Sequence, residues 1–248
     1  MNNKEYEKLY KFEHFYWWHI GRRDIANSFL ERFLKNKENQ ILEIGCGTGG
    51  NLEVLNKWGQ VIGLDISKEA LNFCKKRGFT NLILGKAEKI SLSDNSCDLV
   101  LALDVLEHTK DDKRVIKESW RVLKGGGFFL AIVPAYKFLW SEHDEALGHK
   151  RRYSILEFKK KLREADFKII KISHLVTFVF PLVLGYRILR KTLFPKSKKN
   201  TAYVFLPGFI NDFFIFLLKL ESFLLKYFNL PFGTSIICLA QKPKLKKY

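Results

Sequence analysis

The sequence predicts a doubly wound α/β fold, and three observations carry that prediction. A short apolar run, Ile41, Leu42 and Ile44, breaks into Gly45-Cys46-Gly47-Thr48-Gly49-Gly50 and leads into a helix-compatible segment, Asn51 to Lys57. A second apolar run, Val61 to Leu64, ends in Asp65. Beyond it, strand-like runs alternate with helix-like segments, the pattern of a sheet covered by helices on both faces.

Composition narrows the class. At 248 residues and 47% apolar content, the chain suits one large domain with an appendage, or two small domains, and is too apolar to be disordered. Its net charge of +17 calls for an anionic partner: a phosphorylated substrate, nucleic acid or a membrane surface. Cys46, Cys74, Cys97 and Cys238 are scattered without metal-ligand spacing, which fits a reducing cytosol rather than a disulfide scaffold. The segment Met1 to Lys8 lacks the apolar core of a signal peptide.

Taken in order, residues 1–36 read as a helical unit, with helices from Lys4 to about Phe15 and from Arg22 to Lys35. Between them runs His14-Phe15-Tyr16-Trp17-Trp18-His19-Ile20-Gly21-Arg22-Arg23. Two readings stay open for this aromatic segment: a lid whose rings and arginines face a ligand, or a staple docking the first helix on the core. The strand through Ile41–Ile44 and its glycine turn come next. Glycines let backbone approach a ligand closely, and a helix N-terminus offers unpaired N–H groups to an anion. Asp65, about twenty positions after the first glycine, suits two ribose hydroxyls. An adenosine-containing cofactor is therefore expected at the carboxyl edge of the sheet. Strands at about Asn81–Leu84 and Asp98–Ala102 follow. A helix from Asp111 to Leu123 has acids at its start and Lys124-Gly125 at its end. The remainder reads as strand Gly127–Val133, helix Ser154–Glu164 capped by Ser154, strand Phe167–Ile172 and strand Thr234–Ala240.

Glycine spacing alone also satisfies the G-x-G-x-x-G of nicotinamide-dependent oxidoreductases. The wider context resembles class I S-adenosylmethionine (SAM) methyltransferases more closely. Their acidic-x-Gly-x-Gly-x-Gly motif stands here as Glu43-Ile44-Gly45-Cys46-Gly47-Thr48-Gly49. Val61 to Ser67 resembles their second strand with its ribose-binding acid, Asp65, followed by Ile66. Gly85-Lys86-Ala87-Glu88 sits where that family lines the adenine; Lys86 departs from the acid many relatives carry, leaving Ala87 and Glu88 to replace it. The segment Asp98 to His108, with Leu103, Asp104 and His108, resembles the fourth strand and the segment under the methionine moiety. Arg121 to Phe129 resembles the turn into the fifth strand. The resemblance implies a seven-stranded, mostly parallel sheet with a final antiparallel strand, and SAM as cofactor. It also implies that an N-terminal lid covers the pocket, with Trp17 packing the sulfonium and Arg22 pairing the methionine carboxylate. The core would comprise residues 37–173 and 234–248.

Two segments remain outside that core. The loop Ala135 to Tyr153 lies at the carboxyl edge, where ligands of open α/β sheets bind. From Trp140 to Tyr153 it holds two histidines, three acids and three consecutive cations. Here His143 or His149 is a candidate base, oriented by Asp144 or Glu145, while Arg151, Arg152 and Tyr153 are candidates to hold the acceptor. Asp104-Val105-Leu106-Glu107-His108 also resembles a segment of ubiquinone-biosynthesis O-methyltransferases that bind a divalent metal. The same segment recurs in metal-free methyltransferases, and no metal is expected here.

The other segment, residues 174–233, is apolar and basic at once. Its runs Leu175–Tyr186, Tyr203–Ile210 and Phe213–Leu218 fall short of the roughly eighteen to twenty residues that span a bilayer. Arg187, Arg190, Lys191, Lys196, Lys198 and Lys199 lie between them, with no acid among residues 187–199. A helix from Asn211 to Asn229 would align Phe213, Leu217, Leu220, Leu224 and Phe228. An interfacial anchor on an anionic membrane is expected, with a dimer interface or a helical cap over the pocket as the bland alternative. Nucleic acid would explain the lysines but not the phenylalanines. The expected activity is methyl transfer from SAM to an amphipathic, phosphate-bearing or lipid-linked acceptor, on the cytoplasmic face of the cell membrane. Three alternatives remain: an O-methyltransferase of a soluble or quinone-type acceptor, a nicotinamide-dependent oxidoreductase, and a non-catalytic membrane or partner-binding module. Oligomeric state is not legible.

Overall fold

The computed structural model describes residues 3–34, 38–193 and 206–244. One seven-stranded sheet runs through it in the order β3-β2-β1-β4-β5-β7-β6. The strands are β1 (Asn39–Ile44), β2 (Gly59–Asp65), β3 (Leu82–Leu84), β4 (Cys97–Leu103), β5 (Leu123–Pro134), β6 (Lys168–Leu175) and β7 (Ser235–Gln241). β1 pairs in parallel with β2 and β4, and β4 with β5, whereas β7 runs antiparallel to both β5 and β6. Ile41, Leu42, Leu99, Val100, Leu101, Leu130 and Leu239 are buried, as strands covered on both faces require.

Helices α3 (Gly50–Leu55), α4 (Lys68–Lys76), α5 (Asp112–Val122) and α7 (Ile155–Arg163) pack around the sheet. Ser67, Asp111 and Ser154 cap α4, α5 and α7 by accepting N–H bonds at 3.3, 3.0 and 3.1 Å. The sequence reading contains no α4; its apolar positions Ala70, Leu71 and Cys74 are few, and they are buried. The supposed loop before Tyr153 holds a short helix, α6 (Glu142–Leu147), opened by a capping box between Ser141 and Asp144.

At the N-terminus, α1 (Asn3–Phe12) and α2 (Trp17–Phe33) are joined by a tighter connection than expected, because Trp17 already begins the second helix. The insertion forms α8 (Phe180–Leu193) and α9 (Gly208–Leu225). α9 lies along α2. Asn211 accepts from the Trp17 N–H at 2.9 Å and donates to the Phe15 carbonyl at 2.9 Å, and Ser222 bonds Ser28 at 3.0 Å. Gly21 permits this approach: a Cβ there would stand 2.2 Å from Leu218. No described helix is long and apolar enough to cross a membrane.

Of the expected stripe, Phe213, Leu220 and, just beyond α9, Phe228 are exposed, whereas Leu217 turns to the core. Phe209, Phe213, Phe216, Leu220, Phe223 and Tyr227 are exposed, whereas Leu218 and Leu225 are buried and Leu217 packs against the core. Lys196, Lys198 and Lys199 lie outside the described residues, as do the side chains of Arg190 and Lys191.

Candidate functional site

β1 delivers the chain into the glycine turn at the carboxyl edge. Gly45, Gly47 and Gly49 have φ of +68°, +55° and +89°, a region glycine reaches without a Cβ penalty. The N–H groups of Gly45 and Cys46 donate to the Leu64 carbonyl at 2.7 and 3.0 Å, tying the turn to β2. Asp65 follows directly, and its carboxylate accepts from the N–H groups of Gly47 at 2.9 Å and Ser67 at 2.8 Å. Burial raises its carboxyl above the ordinary value, while those two hydrogen bonds pull the other way. The neighbouring Ile66 side chain is 67% exposed. Beside it the chain turns after β3, where the Gly85 N–H donates to the Asp65 carbonyl at 3.0 Å. Ala87 is buried here and Glu88 half-buried.

Glu43 ends fully buried under the turn, accepting from Asn51 at 2.7 Å. Its second oxygen has no hydrogen-bond partner among the described residues, and burial pushes its carboxyl up to about 8. The Cys46 thiol points inward, 3.9 Å from that of Cys74; only its backbone serves the turn. A carboxylate, an exposed apolar side chain and a glycine turn thus lie together at the carboxyl edge of the sheet, the set a nucleotide with a ribose diol requires.

The N-terminal helices close over this turn. Leu9 of α1 lies 3.5 Å from where a Gly47 Cβ would stand. Glu13 accepts from the Thr48 hydroxyl at 2.8 Å and pairs with Arg77, whose Nε donates to the Thr48 carbonyl at 2.8 Å. Arg23 donates to the Gly50 carbonyl at 3.0 Å and to the Glu13 carbonyl. Arg22 bonds Asp104 at 2.7 Å and sits 4.6 Å above the Trp18 ring. Asp104, at the end of β4 after Leu103, has φ +57°, uncommon away from glycine and frequent at ligand sites. Trp17 requires a correction. Its ring is buried against Trp18 and Phe214, at 5.5 and 5.1 Å, so it staples the lid to α9 rather than facing a sulfonium. Of the two readings left open for the aromatic segment, Trp17 fits the staple.

The loop between β5 and α7, the candidate acceptor site, is organised by Asp144, which is fully buried. It bonds His149 Nδ1 at 2.8 Å and Arg152 Nε at 2.7 Å, and Arg187 of α8 approaches to 3.7 Å. Burial works against its charge, yet His149 and the two guanidiniums hold its carboxyl well below the carboxylate range. His149 packs edge-on against His108, with ring centroids 4.7 Å apart. Burial lowers His108 to about 4, and so it does His143, where the Arg187 charge adds to the effect.

Three expected acceptor contacts are engaged elsewhere. Arg152 is buried and also donates to the Ala135 carbonyl at 2.9 Å, so it fixes the loop. Tyr153 is fully buried and donates to Asp112 at 2.8 Å; it is a core residue. Arg151 binds Asp112 at 3.1 Å and the carbonyls of Thr109 and Lys110, which holds the loop to α5. Arg187, expected among the membrane cations, is instead drawn inward, and burial beside Arg152 lowers it to about 10. A lone cation breaking an otherwise uncharged helical run was the signal for it. Glu13 and Arg77 carried none.

Glu107 is buried with neither carboxylate oxygen hydrogen-bonded among the described residues, and burial raises its carboxyl well above the ordinary value. Ligand atoms of Glu107, His108 and His149 lie within 4.8 Å of one another, a donor set that suits a divalent cation.

Comparison with known proteins gives the same picture. A family model described as a methyltransferase domain matches residues 42–131. A protein of Methanocaldococcus jannaschii without assigned activity is 30% identical over 221 residues, covering 80% of this chain and 83% of its own. Among solved structures, a Haloferax volcanii protein bound to the Trm112 methyltransferase activator superposes with a TM-score of 0.64 at 17% identity, covering 99% of this chain and 97% of that one. A SAM-dependent methyltransferase from Archaeoglobus fulgidus gives 0.59 at 20% identity, covering 89% and 94%.

Proposed function

Because this chain belongs to the class I SAM-dependent methyltransferases, we propose that it methylates an amphipathic, lipid-linked acceptor at a membrane surface. SAM supplies the electrophilic methyl group. The chain's residues do the rest. Asp65 and the glycine turn hold the nucleoside, and α1 with Arg22 covers it and excludes water. The Asp144–His149 pair carries the acceptor's proton. A carboxylate on Nδ1 fixes the imidazole so that Nε2 presents its lone pair, as general-base removal of a hydroxyl proton requires. Arg187 supplies positive charge for a phosphate or carboxylate on the acceptor.

The observation that carries the membrane reading is the row Phe209, Phe213, Phe216, Leu220, Phe223 and Tyr227, exposed along the whole of α9. Leu182, Tyr186, Ile188 and Leu189 of α8 are exposed as well. α8 carries Arg187 to the acceptor loop, so the apolar surface and the site share one helix. An apolar patch of this extent marks an interaction surface. The test is transfer from methyl-labelled SAM to a total lipid extract and, in parallel, to an aqueous extract. Label in the organic phase is expected; label confined to the aqueous phase would refute the lipid acceptor.

A second reading rests on Glu107, His108 and His149. With a divalent cation on those ligands, they would position an acceptor oxygen, as in O-methylation of a quinone-type ring. Loss of transfer on chelation, restored by the metal alone, would favour it.

A further inference from the structure

β6 is an edge strand, paired only with β7. Along its first half lies a groove of about 690 Å³ lined by Arg32, Lys159, Arg163, Lys168, Lys171 and Lys226. These cations come from α2, α7, β6 and the turn after α9, and among the described residues no aspartate or glutamate lines the groove. Two of them donate to backbone carbonyls, and Arg32 also lies 5.8 Å from the Phe33 ring. Arg32 donates to Lys226 at 3.4 Å and Lys171 to Phe228 at 3.2 Å. Lys171 is pushed below its ordinary value by burial and by the Arg32 charge, as expected where positive charges gather without a counter-ion.

The groove also has an apolar neighbour. Tyr227, in the turn after α9, lines it and continues the exposed row of that helix. A row of rings that runs into a basic concavity matches the two layers of a bilayer interface, acyl boundary and phosphate headgroups. Nucleic acid would use the cations and leave the rings in water.

We propose that this groove receives the phosphate headgroups of anionic phospholipids, and so sets how α9 lies on the bilayer. The proposal rests on the membrane-surface reading above and assigns lipid selectivity to the β6 edge rather than to the lysines near residue 198.

The test is flotation of the full chain with phosphatidylcholine vesicles, with and without phosphatidylglycerol. It compares wild type with an Arg163→Gln/Lys168→Gln/Lys171→Gln variant, and SAM affinity by calorimetry reports whether the variant is folded. Wild type should prefer the anionic vesicles, and the variant should bind them about tenfold or more weakly at unchanged SAM affinity. Raising salt from about 0.1 to about 0.5 M should weaken the wild type similarly. If wild type prefers anionic vesicles and the variant matches it, the groove proposal fails while the membrane reading stands. If wild type binds neither vesicle, the membrane reading itself fails. Binding of single-stranded RNA more tightly than vesicles, lost in the same variant, would overturn the lipid assignment.

Discussion

Asp144 stands where α6, Arg152 and His149 meet, and in the proposed reaction it singles out His149 over His143 as the base. His149 is bonded to Asp144 through Nδ1, and in the proposed reaction its Nε2 takes the acceptor's proton. His143 is held neutral far below physiological pH by burial and the Arg187 charge, which makes it a poor base. His149→Gln should therefore lower methyl transfer by about 10²-fold or more, with SAM affinity by calorimetry unchanged. His143→Gln should cost less than about tenfold, and the reverse order would move the base to His143. At this scale the sequence was half legible. The loop's crowd of ionisable groups anticipated the Asp144–His149–Arg152 cluster that the structure brings together, and Asp65 stood out through its place at the end of β2. That Arg152 and Tyr153 turn inward was not legible, because their partners Ala135 and Asp112 are set by tertiary packing.

Elements were predicted well where periodicity has one solution and poorly where it has two. The strands match because each is an apolar run bounded by glycine or charge. α9 is apolar nearly all round, so several stripes fit a 3.6-residue period, and contact with α2 selected the outward one. Within α9, Glu221 is fully buried and accepts from the N–H groups of Val176 and, at 2.8 Å, Thr177. Val176 has φ +60°, strained for a β-branched residue, and Glu221 holds that bend. Burial pushes its carboxyl up to about 7 despite those hydrogen bonds. The folded carboxyl keeps its proton to about pH 7 and an unfolded one only to about 4.3. Folding thus takes up a proton between those values, and this group's contribution to stability falls as pH rises through the window. Denaturant titrations should show wild type losing on the order of 2 kcal/mol relative to Glu221→Gln between pH 4.5 and 7. A constant difference would mean that Glu221 keeps an ordinary value.

Across the whole molecule, lid and insertion form one layer. α1 covers the glycine turn, α2 joins it to Asp104, α9 packs on α2, and α8 returns Arg187 to the acceptor loop. The sheet and the glycine turn were legible because apolar strand runs and glycine spacing are local features of the sequence. The shared layer was not, because it depends on contacts such as Gly21 with Leu218, far apart in the chain. In the reading proposed above, this layer links the exposed row of α9 to the site through α8 and Arg187. The most direct test is methyl transfer to acceptors in lipid vesicles by wild type and by a Phe213→Ser/Phe216→Ser/Phe223→Ser variant. The variant should lose about tenfold or more in rate on vesicles while binding SAM as wild type does. Equal rates on vesicles would show that the exposed row of α9 plays no part in reaching the acceptor.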